Sequence, residues 1–176
     1  TPTSFFINLR NRSIERKALS TFSKEQPDLI IQQQTLGYNL LKAAQKRGIK
    51  TVLNCSIAHH TWARKCMEDE IATNATWGRY VKYPVMKKSE ERKLNLETDY
   101  ANLLLLGSNF VKHTYVQEGV LEYKLLVSNY GYSSDEFMAG AHNSIAPTAK
   151  RVAAMPLLIV FVGQIIPRKG IGYLAV

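Results

Sequence analysis

Short apolar runs alternate with helical patterns along most of this chain. Five runs of strand length are rich in Leu, Ile and Val and are bounded by polar or turn residues. The third run is wholly apolar over Leu103–Leu106, as in a strand that is covered on both faces. The five predicted strands are Asp28–Gln33, Thr51–Cys55, Asn102–Leu106, Lys124–Ser128 and Leu157–Gly163.

Predicted helices occupy the intervals between these strands. Apolar residues recur at helical spacing from Leu36 to Ala44, and Gly48 follows them as a C-terminal glycine. Ser108 can cap a later helix, and Gly119 can end it. The other predicted helices are Thr61–Ala72, Ser89–Tyr100 and Asn109–Glu118.

This order of elements predicts an α/β fold, a Rossmann-like parallel sheet with helices on both faces. Ligands of such sheets bind beyond the carboxyl ends of the strands. Three predicted loops lie there and hold reactive side chains: Ser56–His60, Gly107–Asn109 and Gly163–Lys169.

The composition before the last strand changes to Gly, Ser, Pro and Ala, without strong periodicity. We therefore predict three regions. Residues 1–137 form a first Rossmann-like domain, residues 138–156 form a linker, and residues 157–176 begin a second domain. On this division, the strand Leu157–Gly163 is the first strand of that second domain.

The composition is that of an ordinary globular protein, with 45% hydrophobic and 21% charged residues among 176. The longest apolar run has strand length, far below the roughly 20 residues that span a bilayer. Cys55 and Cys66 belong to no metal-binding or redox motif, so each is expected to be a small buried hydrophobe. A reduced, cytoplasmic protein fits this cysteine usage best.

The net charge of +9 favours partners that carry negative charge. Basic residues cluster in Arg10–Lys17, Lys42–Lys50 and Lys82–Lys93. Nucleic acid, anionic lipid and phosphorylated small molecules all fit such charge, and so does a merely solvated surface. No nucleic-acid-binding motif accompanies the charge, so we expect no nucleic-acid partner and keep a basic nucleic-acid binder as a lesser alternative.

The last predicted strand leads into a turn that is a near miss to a phosphate-binding loop. Gly163 is followed by Arg168, Lys169 and Gly170, where a Walker A loop has a second Gly, Lys, and Ser or Thr. The missing glycine and hydroxyl exclude a P-loop ATPase. A Lys and an Arg at a helix N-terminus remain, which is an electrostatic site for a diphosphate.

Several segments, in order, resemble family 4 glycosyltransferases of the GT-B fold. "FVGQIIPRKGIGYL" (Phe161–Leu174) is similar to the start of that family's donor domain. "YANLLLLGSNFVKHTYVQEGVLEYKLLVSNYGYSSDEF" (Tyr100–Phe137) and "PDLIIQQQTLGYNLLKAAQKRGIKTVLNCSIAHH" (Pro27–His60) are similar to parts of its acceptor domain. The resemblance covers Pro27 to the end of the chain.

The resemblance implies an acceptor-binding domain, a linker, and a donor domain for a nucleotide sugar. The implied reaction is sugar transfer with retention of anomeric configuration, without a required metal or other cofactor. His59 matches the family's acceptor-side histidine, with the adjacent His60 as a competing assignment. Lys169 matches the lysine that binds the donor diphosphate, and Gly163 precedes the position of the family's arginine, which is Gln164 here.

Arg168 neighbours Lys169 and is a partial substitute for that arginine, although its position does not match. The family's paired glutamates, which bind the donor, have no counterpart in this chain. We therefore expect a truncated enzyme that is inactive alone. The expected partners are a nucleotide-sugar donor and a saccharide or lipid-linked acceptor, with an anionic membrane surface as a peripheral contact. The alternative from another class is a non-catalytic Rossmann-like binding module.

Overall fold

The structure is a computed structural model that describes residues 2–74, 76, 86–131, 133–135, 159–163 and 169–174, without the side chains of residues 2–5. The predictions made for Gln164, Arg168 and the linker 138–156 fall outside these residues.

The described chain alternates between helices and short strands. Six α-helices and four β-strands are numbered in chain order within the described residues, and a short 3-10 turn, Glu122–Lys124, precedes the last strand. The helices are α1 Pro2–Lys24, α2 Asn39–Lys46, α3 His60–Thr73, α4 Lys88–Tyr100, α5 Asn109–Gln117 and α6 Ile171–Leu174. The strands are β1 Leu29–Gln33, β2 Lys50–Cys55, β3 Leu103–Leu106 and β4 Leu125–Val127.

The four strands form one parallel sheet in the order β1-β2-β3-β4. The register places Gln32 beside Leu53, Leu53 beside Leu104, and Leu104 beside Leu125. Since side chains alternate along a strand, these four residues lie on one face of the sheet. The predicted α/β fold with a parallel, Rossmann-like sheet is confirmed, and four of the five predicted strands match to within a residue or two.

One face of the sheet carries the core. Tyr115 of α5 and Leu41 of α2 are fully buried against the strand residues Leu53, Leu104 and Leu106. Helices α2 and α5 therefore cover this face. Helix α2 connects β1 to β2, and α5 connects β3 to β4. This arrangement is the packing expected of βαβ units, in which each crossover helix returns over the sheet.

The other face of the sheet is largely open in the described part of the chain. Leu29, Ile31 and Leu126 are 48%, 67% and 50% exposed. The register pairs Ile31 with Val52 on this same face, and Leu105 pairs with Leu126. The prediction of helices on both faces therefore does not hold for the described residues, where helices cover one face.

Two of the predicted helix ends are confirmed by their local geometry. The Ser108 hydroxyl accepts a hydrogen bond from the backbone N–H of Val111, 3.2 Å away, and so caps α5. Gly48 follows the C-cap of α2 with a φ of 71°, a backbone conformation that glycine adopts without strain. These local signals place both helices correctly.

The long helix α1 was not predicted from the sequence. It is fixed to the rest of the fold by polar contacts. The Asn11 side-chain amide donates to the carbonyl of Thr35 at 2.9 Å, and the Glu15 carboxylate accepts from the backbone N–H of Asn39 at 2.8 Å. Helix α1 is thereby positioned against the loop that follows β1.

The predicted fifth strand is wrong for the part of it that the structure describes. Residues 159–163 have no regular secondary structure, and the side chains of Ile159, Val160 and Val162 are exposed. An apolar segment becomes a strand when a neighbouring strand accepts and donates its backbone hydrogen bonds. Residues 159–163 pair with neither edge strand of the described sheet, β1 or β4.

Candidate functional site

The parallel strands bring four segments to one edge of the sheet. These are the loops after β1, β2 and β3, and the segment after β4, which begins at Ser128. Tyr130 in that segment lies over Gly107 in the loop after β3, where an added Cβ would come within 2.7 Å of its ring. A larger residue at position 107 would therefore displace the exposed Tyr130 ring.

A network of amide and hydroxyl groups lies on this edge. The Asn54 side-chain amide donates to Gln33 Oε1 at 2.9 Å, and the Gln33 amide donates to the Ser56 hydroxyl at 3.0 Å. Gln33 is exposed, and Asn54 and Ser56 are half-buried. Asn54 Oδ1 and the Ser56 hydroxyl hydrogen make no hydrogen bond to any other described residue, so both remain for a ligand.

The loop after β1 is held by a buried carboxylate. Glu97 of α4 is 1% exposed, and its two oxygens accept from the backbone N–H groups of Thr35, at 2.8 Å, and Gly37, at 2.7 Å. Burial raises the pKa of Glu97, and these two hydrogen bonds lower it in part. Thr35 has a φ of 79°, which is a strained conformation for a β-branched residue.

A second buried contact joins the same loop to the core. The Gln34 side-chain amide donates to the Tyr115 hydroxyl at 3.1 Å. Burial raises the pKa of the neighbouring Cys55 to about 11, so its thiol is protonated at neutral pH. Cys55 is therefore a structural residue and not a nucleophile, in agreement with its predicted role as a small buried hydrophobe.

His59 is the N-cap of α3, and its imidazole is part of that cap. The side chain is buried, with Nδ1 accepting from the backbone N–H of Thr61 at 3.3 Å. Its own backbone N–H donates to the Thr114 hydroxyl at 3.0 Å, and its ring meets the Tyr115 ring edge-on. Burial, together with the neighbouring His60, lowers the pKa of His59 to about 4. The imidazole is therefore neutral at pH 7, and with Nδ1 as acceptor its proton lies on Nε2.

His59 also lines a polar cavity of about 550 Å³. The other lining residues include Asn95 and Thr98 of α4, Glu118 directly after α5, and Lys124 of the 3-10 turn. Thr98 and Lys124 lie just before β3 and β4, so the cavity extends toward the amino ends of these strands. The competing candidate His60 is buried beside His59, with ring centres 4.3 Å apart, and burial lowers its pKa too.

Lys169 and Gly163 are the predicted donor-site residues that the structure describes. Lys169 is exposed and lies two residues before the four-residue helix α6. Helix α6 is tied to α3 by the Tyr173 hydroxyl, which donates to Glu70 at 2.6 Å. Along α3, Glu70 is about 16 Å from His59 at 1.5 Å per residue. No described contact joins Lys169 or Gly163 to His59, and their roles stay predictions.

The residues of the amide network and of the first loop were not predicted from the sequence. Gln33 is the last residue of one predicted strand and Asn54 is the last but one of the next, so strand boundaries alone would have placed both near the ligand edge. Glu97 carries no comparable signal, because its contacts with Thr35 and Gly37 join segments about sixty residues apart. The described residues contain no group of three or more His, Cys, Asp and Glu that could hold a metal ion.

Comparisons with known proteins leave the family undecided. No model of a known protein family matches the chain, and searches of curated proteins and of solved structures find no match either. None of the helices in the described ranges combines the length and apolar character that a membrane crossing requires.

Proposed function

We propose that this chain is the acceptor side of a glycosyltransferase that transfers a sugar from a nucleotide-sugar donor with retention of anomeric configuration. The observation that carries the proposal is the network of Gln33, Asn54 and Ser56 on the carboxyl edge of a parallel sheet. Amide and hydroxyl groups both donate and accept hydrogen bonds, as the hydroxyl groups of a saccharide do. The edge is also where ligands of parallel sheets bind.

The state of His59 supports a role in binding and not in charge stabilisation. A neutral imidazole with its proton on Nε2 presents a hydrogen-bond donor, which suits a sugar hydroxyl. It cannot stabilise negative charge as a cation does. In this proposal His59 is a neutral hydrogen-bond donor in the cavity that it lines, and the departing nucleoside diphosphate is stabilised elsewhere.

Lys169 is the proposed cation for the departing diphosphate, together with Arg168, Gln164 and the backbone at Gly163. Negative charge grows on the diphosphate as the glycosidic bond breaks, and a positioned cation lowers that barrier. The exposed position of Lys169 leaves its ammonium group accessible to a ligand. The proposed reaction requires no metal ion.

The test uses the complete product of the reading frame that encodes this chain, assayed for release of nucleoside diphosphate from nucleotide sugars. Lys169→Ala is expected to lower kcat by about 10²–10³-fold, by analogy with loss of one transition-state donor. Lys24→Ala removes an exposed lysine of α1 and serves as the control, with an unchanged rate. Equal rates for both variants and the wild type would remove Lys169 from the mechanism.

The acceptor edge has its own test. Asn54→Ala together with Ser56→Ala is expected to raise the KM for the acceptor at least tenfold, while the KM for the donor changes little. Loss of two hydrogen bonds of about 1 kcal/mol each accounts for this size. An unchanged acceptor KM would place the acceptor away from this edge.

A non-catalytic binding module is the second candidate, and the burial of His59 favours it. The imidazole already serves as a helix cap and packs against Tyr115, which is sufficient reason for its presence. Gln164, in the place of the family's arginine, agrees with lost catalysis. This candidate predicts that the complete protein binds a nucleotide sugar or saccharide without turnover.

A further inference from the structure

A second cleft, separate from the amide network, lies between α1 and α4. Its volume is about 570 Å³, and the loop after β1 forms its floor. Residues from α1 line one wall, and residues from α4 line the other. The floor is fixed from both sides, because Glu15 of α1 binds Asn39 and Glu97 of α4 binds Thr35 and Gly37. The cleft is therefore formed before any ligand arrives.

The acidic residues of this cleft are already engaged. Glu97 accepts from two backbone N–H groups, and Glu15 accepts from the backbone and side-chain N–H groups of Asn39 at 2.8 and 3.1 Å. Glu90 accepts from the backbone N–H of Lys87, at 3.4 Å, near the start of α4. Each carboxylate thus has a hydrogen-bond donor of the protein itself.

The basic residues of the cleft, in contrast, have no acceptor. Arg12 and Arg16 lie one turn apart on α1, and Lys93 comes from the opposite wall. Within the described part of the chain, none of the three makes an ion pair or a side-chain hydrogen bond. Arg12 and Arg16 therefore line one wall of the cleft and Lys93 lines the other, and their side-chain donors remain for a ligand.

We propose that this cleft binds a phosphomonoester or diphosphate group attached to an apolar moiety. Guanidinium groups bind phosphate oxygens in pairs, and a lysine on the facing wall adds a third positive charge. Leu19, Leu36 and Leu94 line the same cleft and provide apolar contact for the rest of the ligand. The phosphate belongs either to a soluble metabolite or to a lipid headgroup.

The experiment measures binding of two probes to the chain by calorimetry and by vesicle sedimentation. Inorganic pyrophosphate represents the soluble source, and phosphatidylcholine vesicles with 20 mol% phosphatidic acid, against pure phosphatidylcholine, represent the lipid source. The test variant is Arg12→Gln with Arg16→Gln, and the control is Lys24→Gln with Lys46→Gln. Both pairs remove two exposed positive charges, so the general electrostatic attraction falls equally.

We expect the test variant to bind at least tenfold more weakly than the wild type to one probe, and the control variant to bind within twofold of it. The probe that shows this difference identifies the source. No measurable binding of either probe, or equal weakening in both variants, overturns the proposal. Lys93→Gln repeats the test from the other wall. The measurement needs no nucleotide sugar and no turnover, so its failure leaves the sugar-transfer proposal standing.

Discussion

His59 shows how burial sets the charge of a single residue. The folded chain holds its imidazole neutral, with a pKa lowered to about 4, whereas an unfolded histidine titrates near its ordinary value of 6.5. Between these two pH values the unfolded chain binds a proton that the folded chain does not bind. The free energy of unfolding therefore falls as the pH falls from 6.5 toward 4, and it does not depend on this residue above that range.

From pH 7 to pH 5, His59 is expected to remove about 2 kcal/mol from the free energy of unfolding. His59→Asn keeps an oxygen that can cap α3 but does not titrate, so this variant should lose correspondingly less stability over the same range. Urea unfolding at the two pH values measures the change. His113→Asn, at an exposed histidine, is the control, and an equal pH dependence in all three proteins would contradict the account.

Thr35 holds a strained backbone conformation whose relief should stabilise the fold. Its φ of 79° is strained for a β-branched residue, and its backbone N–H donates a hydrogen bond to the buried Glu97 carboxylate. Thr35→Gly relieves the strain and keeps the N–H, so it is expected to raise the free energy of unfolding by about 0.5–1 kcal/mol. Thr35→Ala keeps the Cβ and should gain less. A loss of stability in the glycine variant would show that the loop does not hold this conformation.

At the scale of elements, the contact between α4 and the loop after β1 fixes the edge of the sheet. Glu97 satisfies two backbone N–H groups from a buried position, so its removal leaves both without an acceptor. Glu97→Ala is expected to lower the free energy of unfolding by about 2–4 kcal/mol. Glu91→Ala, on the same helix, loses only an ion pair to Arg64 and should cost less than about 1 kcal/mol. Equal effects in urea unfolding would refute this role for Glu97.

The elements also show how far the sequence predicts the fold. Strands β1 to β4 and the caps Ser108 and Gly48 are encoded in short stretches, so local periodicity found them. Helix α1 was missed because its apolar residues do not form one stripe: Phe6, Leu9 and Ile14 are exposed, while Asn11 is buried.

The last strand and the first loop depend on distant residues. The described part of Leu157–Gly163 has strand composition, but a strand also needs a paired neighbour, which composition does not reveal. The position of His59 after β2 followed from the strand boundary. The hydrogen bond from the Thr35 backbone N–H to Glu97 joins distant segments, so no local pattern in the sequence indicates it.

At the scale of the whole molecule, the two faces of the sheet differ in exposure. Ile31 and Leu126 lie on the open face, whereas Leu53 is fully buried on the covered face. Exposed apolar residues on a sheet attract other molecules and apolar dyes. This difference in exposure predicts that substitutions on the open face cost much less stability than substitutions on the covered face.

Ile31→Thr with Leu126→Thr is expected to reduce aggregation and binding of an apolar fluorescent dye, with less than about 1 kcal/mol change in the free energy of unfolding, because threonine suits an exposed strand. Leu53→Ala should cost about 2–5 kcal/mol. Dye fluorescence, light scattering and urea unfolding measure these effects. A large loss of stability in the double threonine variant would show that the open face is covered in solution.

The proposal of sugar transfer is tested most directly by the configuration of its product. The complete product of the reading frame would be incubated with nucleotide sugars of α configuration and a panel of saccharide and lipid-linked acceptors, and the new glycosidic bond would be read by proton NMR. We predict an α-linked product, formed with release of nucleoside diphosphate. A β-linked product, or no transfer from any donor that the protein binds, would contradict it.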